Sequence, residues 1–454
     1  MTIERLSSND VTELACDVTG TSMQVAGVLL LKGPTQPDVA QLREILAARV
    51  AGVRRLRQRL LVGPLGSGRP VWVDDENFDI NQHVAVVRCA APGDQQAMLA
   101  AVALVVTRRL PTGRPLWTAT LIDGLLHAQS ALVLVFHHAL ADGIGGLAVL
   151  EQLMDGVPTT VDPGFPRRAP RYRELAIDAF RHRMLAVRNI PAGLLSIRRA
   201  AAELGADGSS TAPGSSLNRP IGAGRTLAAT SVNLDAVKSA ARGRGGTVND
   251  VLLTAVAGAL HTLLAERGES VERLVISVPV SARQHGAARQ LGNQVGVIPM
   301  TIPTTGGPND RLAAVAEITR DRKTHTPGAS AALIGPVFRA LARLGIFGWF
   351  IGHQHRVNTF VTDLVGPTCE VTFAGRRVLN IVAVPMITGN ITVAFAALSY
   401  AGTLQISILA DPGHCPDLPV VLAALRREFA CLATADDAAH CDVNTTGAGS
   451  SRGW

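Results

Sequence analysis

Ala131-Leu132-Val133-Leu134-Val135-Phe136 is an unbroken apolar run that meets two histidines, His137 and His138, at its end. A short run of this kind reads as a buried strand, because a strand with one wet face would alternate polar and apolar residues. Gly143, Gly145 and Gly146 then turn the chain, and Leu147 to Met154 reads as an apolar helix. The segment His137-His138-Ala139-Leu140-Ala141-Asp142-Gly143 therefore sits on a strand-to-helix loop.

The rest of the chain supplies the scaffold for that loop. With 454 residues, 47% of them hydrophobic, one ordinary core is too small a container, so two domains or one two-lobed unit is expected. Strands are expected at 22–32, around Val71 and from Trp117 to Ile122, with helices from Asp38 to Leu60 and from Gly93 to Arg108. Between Val157 and Arg225 the composition shifts to Pro, Gly, Ser and Arg, with an Arg-rich helical piece from Tyr172 to Leu204, the natural crossover between lobes. Beyond it a strand at Leu227–Leu234 precedes a long apolar helix from Thr247, its N-cap, to Arg267, with Asn249 and Asp250 in the first turn. Strands around Phe360, Val371, Val378, Ile391 and Leu404 and a helix from Asp417 to Leu432 close the fold. The division is thus 1–160, a crossover at 161–225, 226–433, and a disordered tail at 434–454.

Charge narrows the possible partners. The net charge is +7, yet only Lys32, Lys238 and Lys323 are lysines, so the positive charge is nearly all Arg, which favours bidentate contacts to phosphate. Aromatic content of 4% leaves little for base stacking, which argues against a nucleic-acid partner. The six cysteines are scattered without a C-x-x-C pair, so they read as reduced thiols and not as a zinc site. The polar, acidic start lacks the basic and apolar run of an export signal, and the uncharged stretch 378–410 is interrupted by Pro385, Gly389, Asn390 and Gly402. A cytoplasmic protein without a transmembrane segment is expected. Arg181, Arg183, Arg188, Arg198 and Arg199 lie amid Leu, Ile and Ala, suiting either an anionic membrane surface or a solvated helix.

The chemistry rests on the two histidines. A histidine at a strand end can have one ring nitrogen fixed by a backbone carbonyl, leaving the other as a base, and His138 is the candidate. On an extended chain His137 points the opposite way and reads as a packing or orienting residue. Asp142 reads as the holder of the loop's shape, by an ion pair for which Arg283 is a candidate partner. Adjacent strand histidines rarely converge on one ion, so no metal is assigned to His137, His138 and Asp142. No nucleophile elbow, phosphate-binding loop or dinucleotide fingerprint competes with this motif.

Together with Arg114-Pro115-Leu116-Trp117, Asn249-Asp250-Val251, Pro279-Val280-Ser281-Ala282-Arg283, Gly292-Asn293-Gln294-Val295-Gly296 and Leu398-Ser399-Tyr400-Ala401-Gly402, the motif resembles the bacterial wax ester synthase/diacylglycerol acyltransferases. These belong to the coenzyme-A-dependent acyltransferase superfamily. The resemblance runs from about residue 5 to 433. It implies an α/β (α+β) fold of two chloramphenicol-acetyltransferase-like lobes, each a mixed sheet with flanking helices, and an active-site tunnel between them. It further implies His138 as general base, His137, Asp142 and Gly143 shaping the catalytic loop, and Asn249, Asp250 and Arg283 in support. Acyl-CoA would be the co-substrate, with no bound cofactor, and diacylglycerol or a fatty alcohol the acceptor, at a membrane or lipid-droplet surface.

Two segments depart from the family pattern. Thr362-Asp363-Leu364-Val365-Gly366-Pro367 stands where Ser-Asn-Val-Pro-Gly-Pro is usual, and Ser7-Ser8-Asn9-Asp10 replaces Ser-Pro-x-Asp. If Asp363 faces the tunnel, its carboxylate repels a developing oxyanion, whereas facing solvent it has no consequence. Rival readings keep the fold but take acyl groups from a carrier protein onto a wall-lipid or polyketide hydroxyl, or retain lipid binding without turnover.

Overall fold

The computed structural model describes residues 3–17, 22–33, 38–64, 66–188, 211–281, 295–325 and 338–444 other than 340 and 343. Its strands are β1 (Glu4–Arg5), β2 (Gln24–Lys32), β3 (Gln58–Leu61), β4 (Val71–Asp74), β5 (Val84–Arg88), β6 (Trp117–Asp123), β7 (Gln129–His137), β8 (Thr226–Asn233), β9 (Arg273–Ser281), β10 (Val295–Pro303), β11 (Thr359–Val365), β12 (Thr372–Phe373), β13 (Arg376–Val384), β14 (Val393–Tyr400) and β15 (Thr403–Ala410). The helices are α1 (Ser8–Cys16), α2 (Val39–Val50), α3 (Gln95–Thr107), α4 (Gly143–Gln152), α5 (Tyr172–Arg188), α6 (Leu234–Arg242), α7 (Val248–Glu266), α8 (Pro308–His325), α9 (Phe347–Gly352) and α10 (Leu418–Asn444).

Most of these helices begin where a short polar side chain can satisfy their first free N–H groups. Asp38, Asp94, Asp142 and Asn233 cap α2, α3, α4 and α6, and Ser7 and Thr247 form reciprocal capping boxes with Asp10 and Asp250. The strands assemble into two six-stranded mixed sheets, β12-β13-β2-β7-β6-β5 and β10-β9-β11-β14-β15-β8, and a small sheet β1-β4-β3. Within the first, β7 is central, antiparallel to β2 with Val25 opposite Phe136 and to β6 with Trp117 opposite Phe136. That position buries every residue from Ser130 to His137, which accounts for the uninterrupted apolar run.

The two sheets do not divide the chain at residue 226. β12 and β13, from the C-terminal half, extend the first sheet by pairing β13 with β2 from Arg377 opposite Lys32 to Val384 opposite Ala26. The transplanted hairpin is held from several directions. Asp155 accepts hydrogen bonds from the N–H groups of Ala374 and Gly375 and pairs with Arg49. Tyr400 Oη accepts from Val371 N–H at 2.9 Å and donates to the Val378 carbonyl at 2.8 Å. Nothing in the local pattern of β13 distinguishes its sheet, because a buried strand looks alike in either.

Other expectations are corrected locally. The helix drawn from Asp38 to Leu60 ends at Val50, and Arg54–Arg57 forms a single tight turn that leads into β3. Here tertiary contact outweighs helical periodicity: Arg55 lies 4.3 Å over the Trp72 ring and pairs with Glu4, and Arg57 lies 3.8 Å over the Phe165 ring. Ile391 forms an isolated bridge to Asn218 ahead of β14, and α10 continues past Leu432 to Asn444. Residues 189–210, including Arg198, Arg199 and the end of the crossover helix, lie outside the described residues.

Length and apolar composition would let α7 cross a bilayer, but Val251 to Leu260 is buried in the core of the second lobe. That core is tied together by Arg311 of α8. Its guanidinium donates to the carbonyls of Thr254, Thr304 and Gly306 and pairs with Glu428 of α10, with only 3% of the Arg side chain exposed. Removing one member of a buried ion pair strands the other, so Arg311→Ala is expected to lower the unfolding free energy by about 3–5 kcal/mol. Urea denaturation at unchanged slope measures this, and a loss below about 1 kcal/mol, the worth of an exposed pair, would show that the contact does not clamp the lobe.

Candidate active site

The candidate site begins where β7 ends. His137 N–H donates to the Leu116 carbonyl at 3.0 Å and His138 N–H to the Met23 carbonyl at 2.8 Å, so both neighbouring segments hold the backbone of the motif. Successive side chains then leave on opposite sides. His137 is 3% exposed and turns away from the cavity described below, whereas His138 lines it.

Each histidine has an acidic neighbour on or just after α1. The His137 Nδ1 accepts the Ala139 N–H at 3.0 Å, so the neutral ring carries its proton on Nε2, which lies 3.3 Å from Asp17 Oδ2. Burial pushes the Asp17 carboxyl up, but the His137 ring and the Arg109 guanidinium outweigh it and hold Asp17 below the usual carboxylate range. His138 Nδ1 lies 3.9 Å from Glu13 Oε1, long for a direct hydrogen bond and suited to a charge contact or a bridging water. The acids at Asp10, Glu13 and Asp17 follow helical spacing, the one signal by which the sequence could have disclosed them.

Asp142 is fully buried and caps α4, its Oδ1 accepting the Gly145 N–H at 2.7 Å. Arg283, the ion-pair partner considered for it, lies outside the described residues, as do Gly292 to Gln294. Gly143 follows at the first helical position, where a Cβ would come within 3.3 Å of the Leu364 side chain. The loop thereby packs directly against β11 of the other sheet.

Asp250 accepts from both Thr247 N–H and Thr247 Oγ1, which is a helix-start role. Neither Asn249 nor Asp250 lines the cavity, although the Asn249 Oδ1 is buried with no hydrogen-bond partner among the described residues. The Leu116-Trp117 motif is buried beside β7, at the start of β6, with Trp117 Nε1 donating to the Leu56 carbonyl at 2.7 Å and its ring stacked on His83 at 4.5 Å. The described residues contain no group of three or more His, Cys, Asp or Glu placed to hold a metal ion.

The cavity has a volume of about 290 Å³ and lies between the two large sheets. Its walls are mostly apolar, including Val25, Phe136, Leu147, Leu150, Ile381 and Leu398. Its opening in the second sheet has a definite cause. The parallel strands β9 and β11 pair only at Ile276–Thr359 and Ser277–Phe360, after which β9 stays with β10 and β11 stays with β14. Ser277 and Pro279 line one side of the resulting slot, and Thr362, Asp363 and Leu364 the other. Asp363 therefore lines the cavity, half-buried, and its partial burial pushes its carboxyl up to about 6. A partly buried base, a carboxyl and an apolar chamber can together remove a proton from a bound hydroxyl and shelter an acyl chain.

Comparison with known proteins agrees with this geometry over nearly the whole chain. The profile of the wax ester synthase/diacylglycerol acyltransferase catalytic domain matches residues 6–252, and that of the WS/DGAT C-terminal domain matches residues 291–433. A probable diacylglycerol O-acyltransferase of Mycobacterium tuberculosis is 30% identical over 410 residues, covering 86% of this chain and 87% of its own. A putative diacylglycerol O-acyltransferase of Mycobacterium bovis matches to the same extent. Among solved structures, the wax ester synthase/diacylglycerol acyltransferase of Marinobacter aquaeolei superposes with a TM-score of 0.69 at 23% identity, covering 94% of this chain and 98% of its own. The first condensation domain of the CDA synthetase shares the fold at a TM-score of 0.63 and 17% identity, covering 95% of this chain and 96% of its own. The chain belongs to the wax ester synthase/diacylglycerol acyltransferase family and is an acyltransferase with its two-lobed α/β fold.

Proposed function

We propose that this acyltransferase moves a long-chain acyl group from acyl-CoA to the hydroxyl of diacylglycerol or a long-chain alcohol, with His138 as the general base. The observation that carries the reading is the placement of His138 at the wall of an apolar cavity between the sheets. With Nδ1 on the Glu13 side, Nε2 takes the acceptor's hydroxyl proton. The oxygen attacks the thioester carbonyl carbon, the tetrahedral intermediate expels the thiolate, and the imidazolium returns its proton to that sulfur. No covalent acyl-enzyme is needed. Asp142 and Gly143 keep the loop in shape, His137 braces it through Asp17, and Asn249, Asp250 and Arg283 act as support from the second lobe.

The acceptors are membrane-dissolved, and α5 suits a peripheral site on the cytoplasmic face of a membrane or on a lipid inclusion. Leu175 and Ala179 are buried on its inner side, whereas Ile177, Phe180, Met184 and Leu185 form an exposed stripe at helical spacing, near Arg173, Arg181 and Arg183. Cosedimentation is expected with vesicles containing anionic phospholipid and not with purely zwitterionic ones. A variant with Phe180→Glu and Leu185→Glu should lose that binding, and undiminished binding would remove α5 as the contact.

Incubation with labelled palmitoyl-CoA and either diacylglycerol or hexadecanol tests the reaction. His138→Ala is expected to lower kcat by about 10²–10⁴-fold for each acceptor used by the wild type, the usual worth of a general base. Undiminished turnover would exclude His138 as the base. Transfer from an acyl carrier protein but not from palmitoyl-CoA would exclude the donor.

Asp142 is expected to act through the helix cap. Asp142→Ala should reduce stability by about 1 kcal/mol, whereas Asp142→Ser, which can still cap, should retain most of it. Equal losses in thermal unfolding would place the role of Asp142 elsewhere.

A further inference from the structure

The cavity contains a carboxyl for which the reaction has no use. Acyl transfer requires one base, and His138 supplies it, yet Asp363 lines the same chamber from β11. Its carboxyl is raised by burial, with no charged neighbour or hydrogen bond contributing among the described residues. Asp363 is half-buried at the cavity wall, and a carboxyl there without a partner among the described residues is placed to take a donor from the ligand. The backbone explains why the side chain reaches the chamber: beyond Phe360 the strand has lost β9, and the open slot exposes Thr362, Asp363 and Leu364 together. Leu364 packs against Gly143, so this part of β11 borders the loop that carries His138.

We infer that Asp363 selects the acceptor: its carboxyl receives a hydrogen bond from a second hydroxyl on the lipid alcohol, adjacent to the one that is acylated. The acceptors so favoured are lipids with two neighbouring hydroxyls, such as monoacylglycerols and long-chain vicinal diols. The inference rests on the O-acyl transfer proposed above. One hydroxyl gives its proton to His138 and becomes the ester oxygen, while the second keeps its proton, donates to Asp363 and remains free in the product. A monohydric acceptor, diacylglycerol included, would leave the carboxyl without that donor and is expected to be used more slowly, not excluded.

Among the described residues, the other titratable groups facing the cavity are Glu13 from α1 and His138 and Asp142 from the β7–α4 loop. The lining residues from β9, β13 and β14 carry no charge. Because the ionised carboxylate is the stronger acceptor, discrimination should grow as pH rises from 5 to 8 through the Asp363 value of about 6. The ratio of two acceptors at one pH cancels any pH effect common to both.

The test compares a vicinal hexadecanediol with hexadecanol, in kcat/KM with palmitoyl-CoA and in equilibrium dialysis without a donor, for the wild type, Asp363→Leu and the isosteric Asp363→Asn. The wild type should favour the diol by about tenfold or more, Asp363→Leu should bring the ratio near one while still acylating hexadecanol, and Asp363→Asn should fall between. The pH dependence of the ratio should vanish in both variants. Equal binding of the two alcohols by the wild type, or a diol preference that survives in Asp363→Leu, overturns the inference. So does an effect of the substitutions confined to the KM for palmitoyl-CoA. A diol preference in dialysis without transfer from palmitoyl-CoA would support Asp363 as the selector and refute the proposed donor, which separates the two readings.

Discussion

At the end of β7 the chain must leave the middle of a six-stranded sheet with its backbone groups satisfied and still present one imidazole to an apolar chamber. Three hydrogen bonds resolve this: His137 N–H to Leu116, His138 N–H to Met23, and Gly145 N–H to Asp142. The first two continue the pairing of β7 with both neighbours for one residue more, and the third starts α4. Buried N–H groups are costly to leave unpaired, so the exit has little freedom, and the direction of the His138 side chain follows from it. The Leu116-Trp117 segment is thereby part of the site's foundation without touching the cavity.

The chamber itself comes from a second constraint, the parting of β9 and β11. Two parallel strands that pair at only two positions leave a slot, and the slot is useful because each strand keeps a partner on its other side. The hairpin β12–β13 then ties the lobes together by joining the first sheet, so the cavity has walls from both halves of the chain. Asp155, Arg49 and Tyr400 fasten that hairpin, and their distance in sequence from the histidines hides their relation to the site.

Electrostatically the chamber is more acidic than the motif suggests. Glu13 and Asp17 approach the two histidines from the α1 region, and Asp363 enters from the opposite lobe. An apolar lining strengthens the influence of each charge on its neighbours, so acids at these positions bear on both proton transfer and ligand choice.

The sequence alone determined the local events: the buried strand, the strand-to-helix loop, the cap at Thr247, and the identity of His138 as the candidate base, whereas the cap at Asp142, read from the sequence as an ion-pair holder, came from the structure. These are legible because backbone satisfaction and side-chain periodicity are written within a few residues. Only the tertiary structure decided that β13 belongs to the first sheet, that Arg54–Arg57 leaves the helical path for contacts with Trp72 and Phe165, and that Glu13 and Asp363 share the cavity of His138. Each of these depends on contacts between residues far apart in the chain. A buried strand has the same local pattern in either sheet, and a carboxyl on a strand reads the same whether a neighbouring strand or an open slot lies beside it.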